Sequence, residues 1–522
     1  MKELVYSRAL LPAIENYADK VGFIDGDYRG TFAQHGDRVA RLCAALSGEL
    51  GVGRGDRFAV MATNSHQYLE LYHAAFLGGG IINPLNLRLA GKELDYIVRD
   101  SGCEVVFVDQ FFAPVFAQAM AEAGDDSPIR HTVLIGDASD APYDVTYEDL
   151  IAGVAPRFAD EPAEDDPVIL MYTGGTTGLP KGVLLDQRAE MLNLYHVAGV
   201  VEFDPDSVYL HQTPMFHAAS MGGILGTPAL GATTAFIPLF DPEGVLNLIE
   251  AHQVTQTMMV PTMIGLTLAH PSFEPQKLAS LQLLTYGASP MPASLLDKLM
   301  ALYPDLGISQ GYGMTESSAV LTFLTAHDHS KGGARLRSAG RAVMGVTLSI
   351  RDDDGNEVAR GETGEVWARG GNFMREYWNK PDATAEVFAD GWYHTGDAGY
   401  LDDEGYLFLV DRVKDMIVTG GENVYSAEVE SALAKHDAVA QVAVIGIPHE
   451  TWGEQVHAIV VLDDGAEVTV EELQAFAKES IAGYKVPKSI DFRDEPLPLS
   501  GAMKVLKREL RAPYWADQET NV

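Results

Sequence analysis

The sequence predicts an α/β protein with a large N-terminal domain of α/β sheet subdomains plus a small β-barrel, followed by a smaller α+β unit. Three observations carry that reading. Helical and strand patterns alternate through the first half, short turn-punctuated strands follow from about Arg335, and a third texture begins near Lys414. At 522 residues the chain is long enough for two or more domains and ample core.

Taken in order, Phe32 to Leu50 places apolar residues at helical spacing. Arg57-Phe58-Ala59-Val60-Met61 is a short apolar strand, a helix follows near Tyr68 to Gly78, and Glu104-Val105-Val106-Phe107-Val108 is another strand. Helices alternating with short buried strands predict a largely parallel sheet. The uncharged stretch His217 to Phe240 has the length of a membrane span. Pro228, Pro238 and several glycines interrupt it, and Thr233-Thr234-Ala235-Phe236-Ile237 reads as a strand, so a buried helix, turn and strand is expected. Later, Leu348-Ser349-Ile350, Gly364-Glu365-Val366-Trp367 and Tyr406-Leu407-Phe408-Leu409-Val410 alternate with Asp-Gly turns, as in a small antiparallel sheet or barrel. Those turns lack the alternating ligand spacing of a calcium loop. In the last unit Ala427 to Ala434 and Glu471 to Ser480 are helical, and Val442 to Gly446 and His457 to Val461 are strands.

Lys and Arg number 37 against 74 Asp and Glu, a formal net charge of −37. That balance argues against nucleic acid and anionic membranes, whose binding needs a basic footprint. Cys43 and Cys103 match no zinc or redox spacing and read as buried thiols. Met1-Lys2-Glu3-Leu4 begins no apolar run of signal-peptide length, so a cytoplasmic location without integral membrane association is expected. His327-Asp328-His329 has no further ligands beside it and reads as a solvated loop.

The strongest local signal is Tyr172-Thr173-Gly174-Gly175-Thr176-Thr177-Gly178-Leu179-Pro180-Lys181-Gly182, after the apolar strand Val168 to Met171. Glycines let backbone N–H groups cradle an anion, threonine hydroxyls add donors and Lys181 adds charge. It is not a Walker A loop, because two residues separate Gly178 from Lys181 and Gly182 stands where that motif needs Ser or Thr.

This loop resembles the phosphate loop of the adenylate-forming superfamily, which includes acyl-CoA synthetases, aryl-CoA ligases, luciferases and adenylation domains. Four further segments stand in the family's order. Gln310-Gly311-Tyr312-Gly313-Met314-Thr315-Glu316 resembles the adenine and magnesium motif, and Tyr393-His394-Thr395-Gly396-Asp397 the ribose motif. Asp411-Arg412-Val413-Lys414-Asp415 resembles the interdomain hinge, and Leu497-Pro498-Leu499-Ser500-Gly501-Ala502-Met503-Lys504 the catalytic-lysine motif. The resemblance spans nearly the whole chain. It implies residues 1–410 as an N-terminal adenylation domain and 411–522 as a mobile C-terminal domain hinged at Asp411 to Lys414.

The implied chemistry is attack of a carboxylate on the α-phosphate of ATP, then thioester formation with coenzyme A. Both partners of the first step are anions, so the site must supply positive charge and positioned donors. The resemblance assigns Thr173, Gly174, Gly175, Thr176, Thr177, Gly178 and Lys181 to the phosphates. It gives Gly287, Ala288, Ser289, Gln310, Gly311, Tyr312, Gly313, Thr315, Asp397 and Arg412 to the rest of the nucleotide. Tyr312 offers an aromatic face to adenine, and Asp397 can accept both ribose hydroxyls. Glu316, with Thr173, would hold Mg2+, which prefers hard oxygens and retains waters. Lys504 would bridge the carboxylate and the α-phosphate as a point charge. Lys507 is its rival, but the spacing to Pro498 and Ser500 favours Lys504. The chain departs from the family at Met503, where glycine is usual, and at Ser426, where proline is common.

Rotation about Lys414 would exchange the Lys504 loop for Gly420-Gly421-Glu422, placed by the resemblance beside coenzyme A. Pro214-Met215-Phe216-His217 resembles the motif bordering the substrate carboxylate. Phe216, His217, Met221, Gly222, Gly287 and Gly311 are thus expected around the acyl group, their small residues leaving room for an apolar tail. Medium- or long-chain fatty acids fit best, with an aryl or short modified carboxylate as the alternative. Loading of a carrier protein is a further alternative, a non-catalytic nucleotide fold and a luciferase-type monooxygenase are more distant, and a homodimer is compatible with the sequence. Between Ile481 and Arg511 seven bases meet four acids, a net positive stretch in an acidic chain.

Overall fold

Apolar segments too short to be stable helices need neighbours to satisfy their backbone, and here they assemble into sheets. The computed structural model describes every residue except 1–3, 90, 124–126, 174–178, 413–414, 420–421, 450, 502 and 517–522, and only the backbone at 123, 411, 412, 418, 422 and 423.

Two large sheets form the main body. The eight-stranded sheet runs Glu376–Tyr377, Lys181–Asp186, Pro167–Thr173, Ile81–Pro84, Arg57–Met61, Val105–Asp109, His131–Ile135, Val145–Thr146. It is parallel from Pro167–Thr173 onward and antiparallel at the Lys181–Asp186 edge. The nine-stranded sheet centres on the parallel strands Gly307–Tyr312, Leu283–Gly287, Gln256–Met259, Val208–His211, Thr233–Phe236 and Val21–Asp25. The expected parallel α/β organisation is therefore present, with one long-range addition. Val21–Asp25, near the start of the chain, pairs with Thr233–Phe236.

The helices begin where side chains can replace missing backbone partners. Thr31 accepts the Gln34 N–H at 3.2 Å and Gln34 returns a bond to Thr31 N, a capping box that starts Phe32–Gly48. That helix and His66–Ala74 bury Phe32, Leu42, Tyr68 and Tyr72 in the main core. Among these apolar residues lies a histidine pair, His35 Nε2 to His73 Nδ1 at 2.7 Å. His73 Nε2 lies 3.1 Å from the carbonyl of Ile224. Burial lowers both pKa values, that of His73 to about 4, so the rings stay neutral and are joined through hydrogen bonds rather than charge. The pair ties two core helices to Met221–Ala229. That helix and the strand Thr233–Phe236 are the buried pair expected from the uncharged stretch. No helix among the described residues is long and apolar enough to cross a membrane.

The strands Thr347–Arg351, Gly364–Arg369, Trp392–Leu401, Leu407–Arg412 and Phe388–Ala389 form a five-stranded antiparallel sheet. Its ladder does not close among the described residues, so the expected barrel is a partial one. The last unit packs helices Ser426–Leu433 and Val470–Lys478 on a sheet led by Val439–His449 and Gly453–Leu462. Cys43 and Cys103 are buried and free, and burial raises both thiols, Cys43 to about 12. His327-Asp328-His329 departs from the solvated-loop expectation. It lies in the helix Ala326–Lys331 with Asp328 and His329 buried. Asp328 accepts from Tyr406 at 2.6 Å and His329 Nε2 lies 3.1 Å from the Tyr286 hydroxyl, so burial is offset by specific partners.

Gly340 joins the nine-stranded sheet to the partial barrel. Its carbonyl accepts the Leu407 N–H at 2.8 Å, its φ is +84°, and an added Cβ would collide with the Phe323 carbonyl. Gly340→Ala should therefore lower unfolding stability by about 2–4 kcal/mol, measured by chemical denaturation. A loss below about 0.5 kcal/mol would mean that this junction yields easily.

Candidate functional site

The C-terminal ends of parallel strands are the common location for ligand sites in α/β sheets. Here the ends of Pro167–Thr173, Leu283–Gly287 and Gly307–Tyr312 open onto one cleft with Phe216, His217 and Lys504. Strand spacing fixes part of its wall. A Cβ on Gly287 would collide with the Gly311 carbonyl on the neighbouring strand, and Ala288 turns away with φ +65°. Gly287 is thus a spacing residue between strands. The Tyr286 hydroxyl donates to Gln310 Oε1 at 3.1 Å and braces the same pair of strands.

Two motifs far apart in sequence meet on the nucleotide side. The Tyr312 hydroxyl donates to Asp397 Oδ2 at 2.6 Å, so the ring expected beside adenine also orients the carboxylate expected beside ribose. Asp397 stands opposite Arg412 in the ladder between Trp392–Leu401 and Leu407–Arg412. The Arg412 side chain lies outside the described residues, as do Gly174, Gly175, Thr176, Thr177 and Gly178. Thr173 and Lys181 flank that loop, with the Thr173 hydroxyl on the Lys181 carbonyl at 3.4 Å. Gly313 and Thr315 line the cleft, as do Ala288 and Ser289.

Tyr377 was not legible as a site residue. Its hydroxyl donates to Glu316 Oε1 at 2.7 Å while Lys181 Nζ sits 4.8 Å from its ring centroid. Burial, then the Glu316 charge, raises the Tyr377 pKa, so the phenol keeps its proton and remains a donor. One side chain thereby positions both the expected metal carboxylate and the expected phosphate lysine. Only the antiparallel register Tyr377 to Val183 brings it there.

A Mg2+ ion keeps several waters and takes one or two carboxylates, the remaining oxygens coming from phosphates. Glu316, held by Tyr377, and Thr173, which lines the same cleft, fit the donor set of such a partial site. The described residues include no group of three or more His, Cys, Asp or Glu that would enclose a metal without phosphate.

On the acyl side, His217 Nδ1 accepts the Ala219 N–H at 3.2 Å. Burial first, and the Lys504 ammonium second, lower its pKa to about 3. A neutral ring that accepts at Nδ1 carries its proton on Nε2. Lys504 comes from a turn closed by a bridge from Leu499 to Val505 and by Ser500 N to the Lys504 carbonyl at 2.7 Å. Met503 lies in this turn with φ +60°, the left-handed region in which glycine is free and other residues pay about 1 kcal/mol. That geometry suits the glycine that the resemblance leads one to expect there. Lys507 instead contacts Glu430 at 2.7 Å and Ser426 at 2.6 Å within its own unit.

The expected acyl residues divide. Phe216, His217, Gly222 and Gly311 line the cleft, together with Val197, Tyr209 and Phe323. Met221 does not. It is 1% exposed and packs with Ile224 and Leu225, because its place on the helix points into the core. The glycines also act otherwise than expected. A Cβ on Gly222 would stand 3.1 Å from Val197 and one on Gly223 2.6 Å from Tyr209. Their missing side chains let walls approach rather than leave empty room. Lys414, Gly420 and Gly421 lie outside the described residues, as does the Glu422 side chain. The positive stretch after Ile481 is largely paired, through Lys485 with Glu428, Arg493 with Glu495, Lys507 with Glu430 and Arg511 with Glu454.

Residues 12–378 match the family described as AMP-binding enzyme, and residues 428–504 match the AMP-binding enzyme C-terminal domain. A feruloyl-CoA synthase from an Amycolatopsis species is 39% identical over 488 residues, covering 93% of this chain and 94% of its own. The long-chain-fatty-acid–CoA ligase FadD13 of Mycobacterium tuberculosis is 37% identical over 490 residues, covering 94% of each. ATP-bound MatB from Rhodopseudomonas palustris superposes with a TM-score of 0.86 at 29% identity over the whole of both chains. The anthranilate CoA ligase AuaEII with anthranoyl-AMP does so with 0.89 at 26% identity over 98% of each.

The His217 geometry makes a direct prediction. Histidine-selective NMR should find this ring neutral throughout the range in which an ordinary imidazole, pKa about 6.5, titrates. Lys504→Gln removes a neighbouring positive charge and should raise the His217 pKa. An unchanged value would show that the ammonium does not reach the imidazole.

Proposed function

This chain belongs to the AMP-binding enzyme family, and from that premise we propose that it is an ATP-dependent acid–CoA ligase for apolar-tailed carboxylic acids. The observation carrying the proposal is the meeting of Lys504 with His217 in the cleft that also holds Glu316, Asp397 and Lys181.

In the proposed reaction the acid lies beside Phe216 and the His217 Nε2–H, which donates to one carboxylate oxygen. Lys504 draws that carboxylate and the α-phosphate together and stabilises charge as the new bond to phosphorus forms. Pyrophosphate leaves, and its charge is met by Lys181. Mg2+, when bound at Glu316 and Thr173, neutralises part of the triphosphate charge. Tyr312 and Asp397 orient adenine and ribose. The acyl-adenylate then passes its acyl group to the coenzyme A sulfur and releases AMP. For that step we propose a boundary near Val410, a hinge at Asp411 to Lys414, and contacts from Gly420, Gly421 and Glu422 to coenzyme A.

The pocket beyond His217 supports an apolar substrate. Val197, Val201, Phe203, Tyr209, Met258 and Phe323 line it. Medium- or long-chain fatty acids are the first reading of that apolar lining. The aromatic lining from Phe203, Tyr209 and Phe323 favours a second reading, a phenylpropanoid-sized aryl acid, in keeping with the feruloyl-CoA synthase relatives.

A panel of fatty acids of graded length and of aryl acids, assayed for AMP and for acyl-CoA, tests the proposal. AMP and thioester should appear together with an apolar acid. Pyrophosphate release without any thioester from free coenzyme A would favour carrier-protein loading instead. Lys504→Ala should slow adenylation by about 100-fold or more while thioester formation from supplied acyl-adenylate stays within a few-fold. Equal loss in both steps would remove Lys504 from its assigned role.

A further inference from the structure

We infer that Arg88 is a positioning residue that latches the Lys504 turn onto the large domain for the adenylation step; this rests on the ligase reading above. Arg88 follows the central strand Ile81–Pro84 at the cleft rim. Its Nη1 donates to two backbone carbonyls of the small unit, Leu499 at 2.9 Å and Ser500 at 3.1 Å. Its Nη2 lies 3.9 Å from the Met503 sulfur. A guanidinium presents donors in a fixed plane and so can meet several acceptors of one turn together.

The receiving surface is shaped for that turn. Asn86 Oδ1 accepts the Arg88 N–H at 3.0 Å, which fixes the loop carrying the guanidinium. The turn lies so close to Asn86 that a Cβ on Gly501 would collide with its amide. From the other side the Thr262 hydroxyl donates to the Met503 carbonyl at 3.3 Å, and the Met503 side chain packs against the apolar cluster of the large domain that includes Met259, Ile264 and Leu296. The acceptors belong to the same short turn whose Ser500 contacts hold Lys504. Holding Leu499, Ser500 and Met503 therefore fixes the backbone from which the Lys504 side chain reaches into the cleft. A rotation that withdraws Lys504 breaks the contacts of Arg88, Asn86 and Thr262 with the turn, so the latch acts in one half-reaction only.

The test uses the full chain and its Arg88→Ala and Arg88→Lys variants. Arg88→Ala should slow acid-dependent pyrophosphate release about 10- to 100-fold, while thioester formation from supplied acyl-adenylate stays within about two-fold. Arg88→Lys keeps the charge without the planar fork and should recover part of the loss. Nitroxide labels at Glu274→Cys and Asp464→Cys, one on each domain, should report a narrow distance distribution that broadens in Arg88→Ala. Equal loss in both half-reactions, unaltered pyrophosphate release, or an unchanged distance distribution would each overturn the latch. Failure of every acid to yield AMP would overturn the ligase reading instead, and the label distances would still decide whether Arg88 holds the two domains together.

Discussion

The site depends on one meeting, between a lysine near the end of the chain and a histidine in its middle. Lys504 and His217 are on different domains, and their proximity is what lowers the His217 pKa beyond the effect of burial. Each half is prepared by its own surroundings. His217 is fixed by the Ala219 N–H at the entrance to a helix that the neutral His35–His73 pair anchors into the core. Lys504 is fixed by a turn whose hydrogen bonds close on Ser500. The two sheets, the partial barrel and the small α+β unit serve to bring these prepared pieces within electrostatic reach.

Much of this was legible because the elements are local. The alternation of apolar strands with helices, the turn-rich barrel segment and the motif residues at strand ends all leave patterns within a dozen residues. What was not legible is set by pairing between distant segments. Val21–Asp25 carries no sign that its partner is Thr233–Phe236, and Tyr377 reaches Glu316 and Lys181 only through its register with Val183. The misreadings have the same origin. His327-Asp328-His329 looked polar and solvated because its partners, Tyr286 and Tyr406, lie tens of residues away. Met221 looked like pocket lining because its neighbours are, but helical rotation turns it into the core. Gly222 read as room, whereas Val197 stands against the space its side chain would take.

Charge tells a related story. The sequence places a positive stretch after Ile481 in a strongly acidic chain, which suggests a local basic surface. The fold spends most of those bases on Glu428, Glu430, Glu454 and Glu495. Lys504 is the base of this stretch that the turn carries across to the large domain, beside His217. The positive charge available to anionic substrates is therefore delivered by individual side chains at fixed places, rather than by a field over the surface.

The two cysteines bear on the fate of what such a site makes. An acyl-adenylate and a thioester are both electrophiles, and an accessible thiolate on the protein would intercept them. Cys43 and Cys103 are buried, and Cys43 is pushed up to about 12, far from ionisation at neutral pH. A thiol in that state is a poor nucleophile. The chain thus offers its products no thiol of its own to acylate, and an activated acyl group can survive inside the cleft until an incoming thiol claims it.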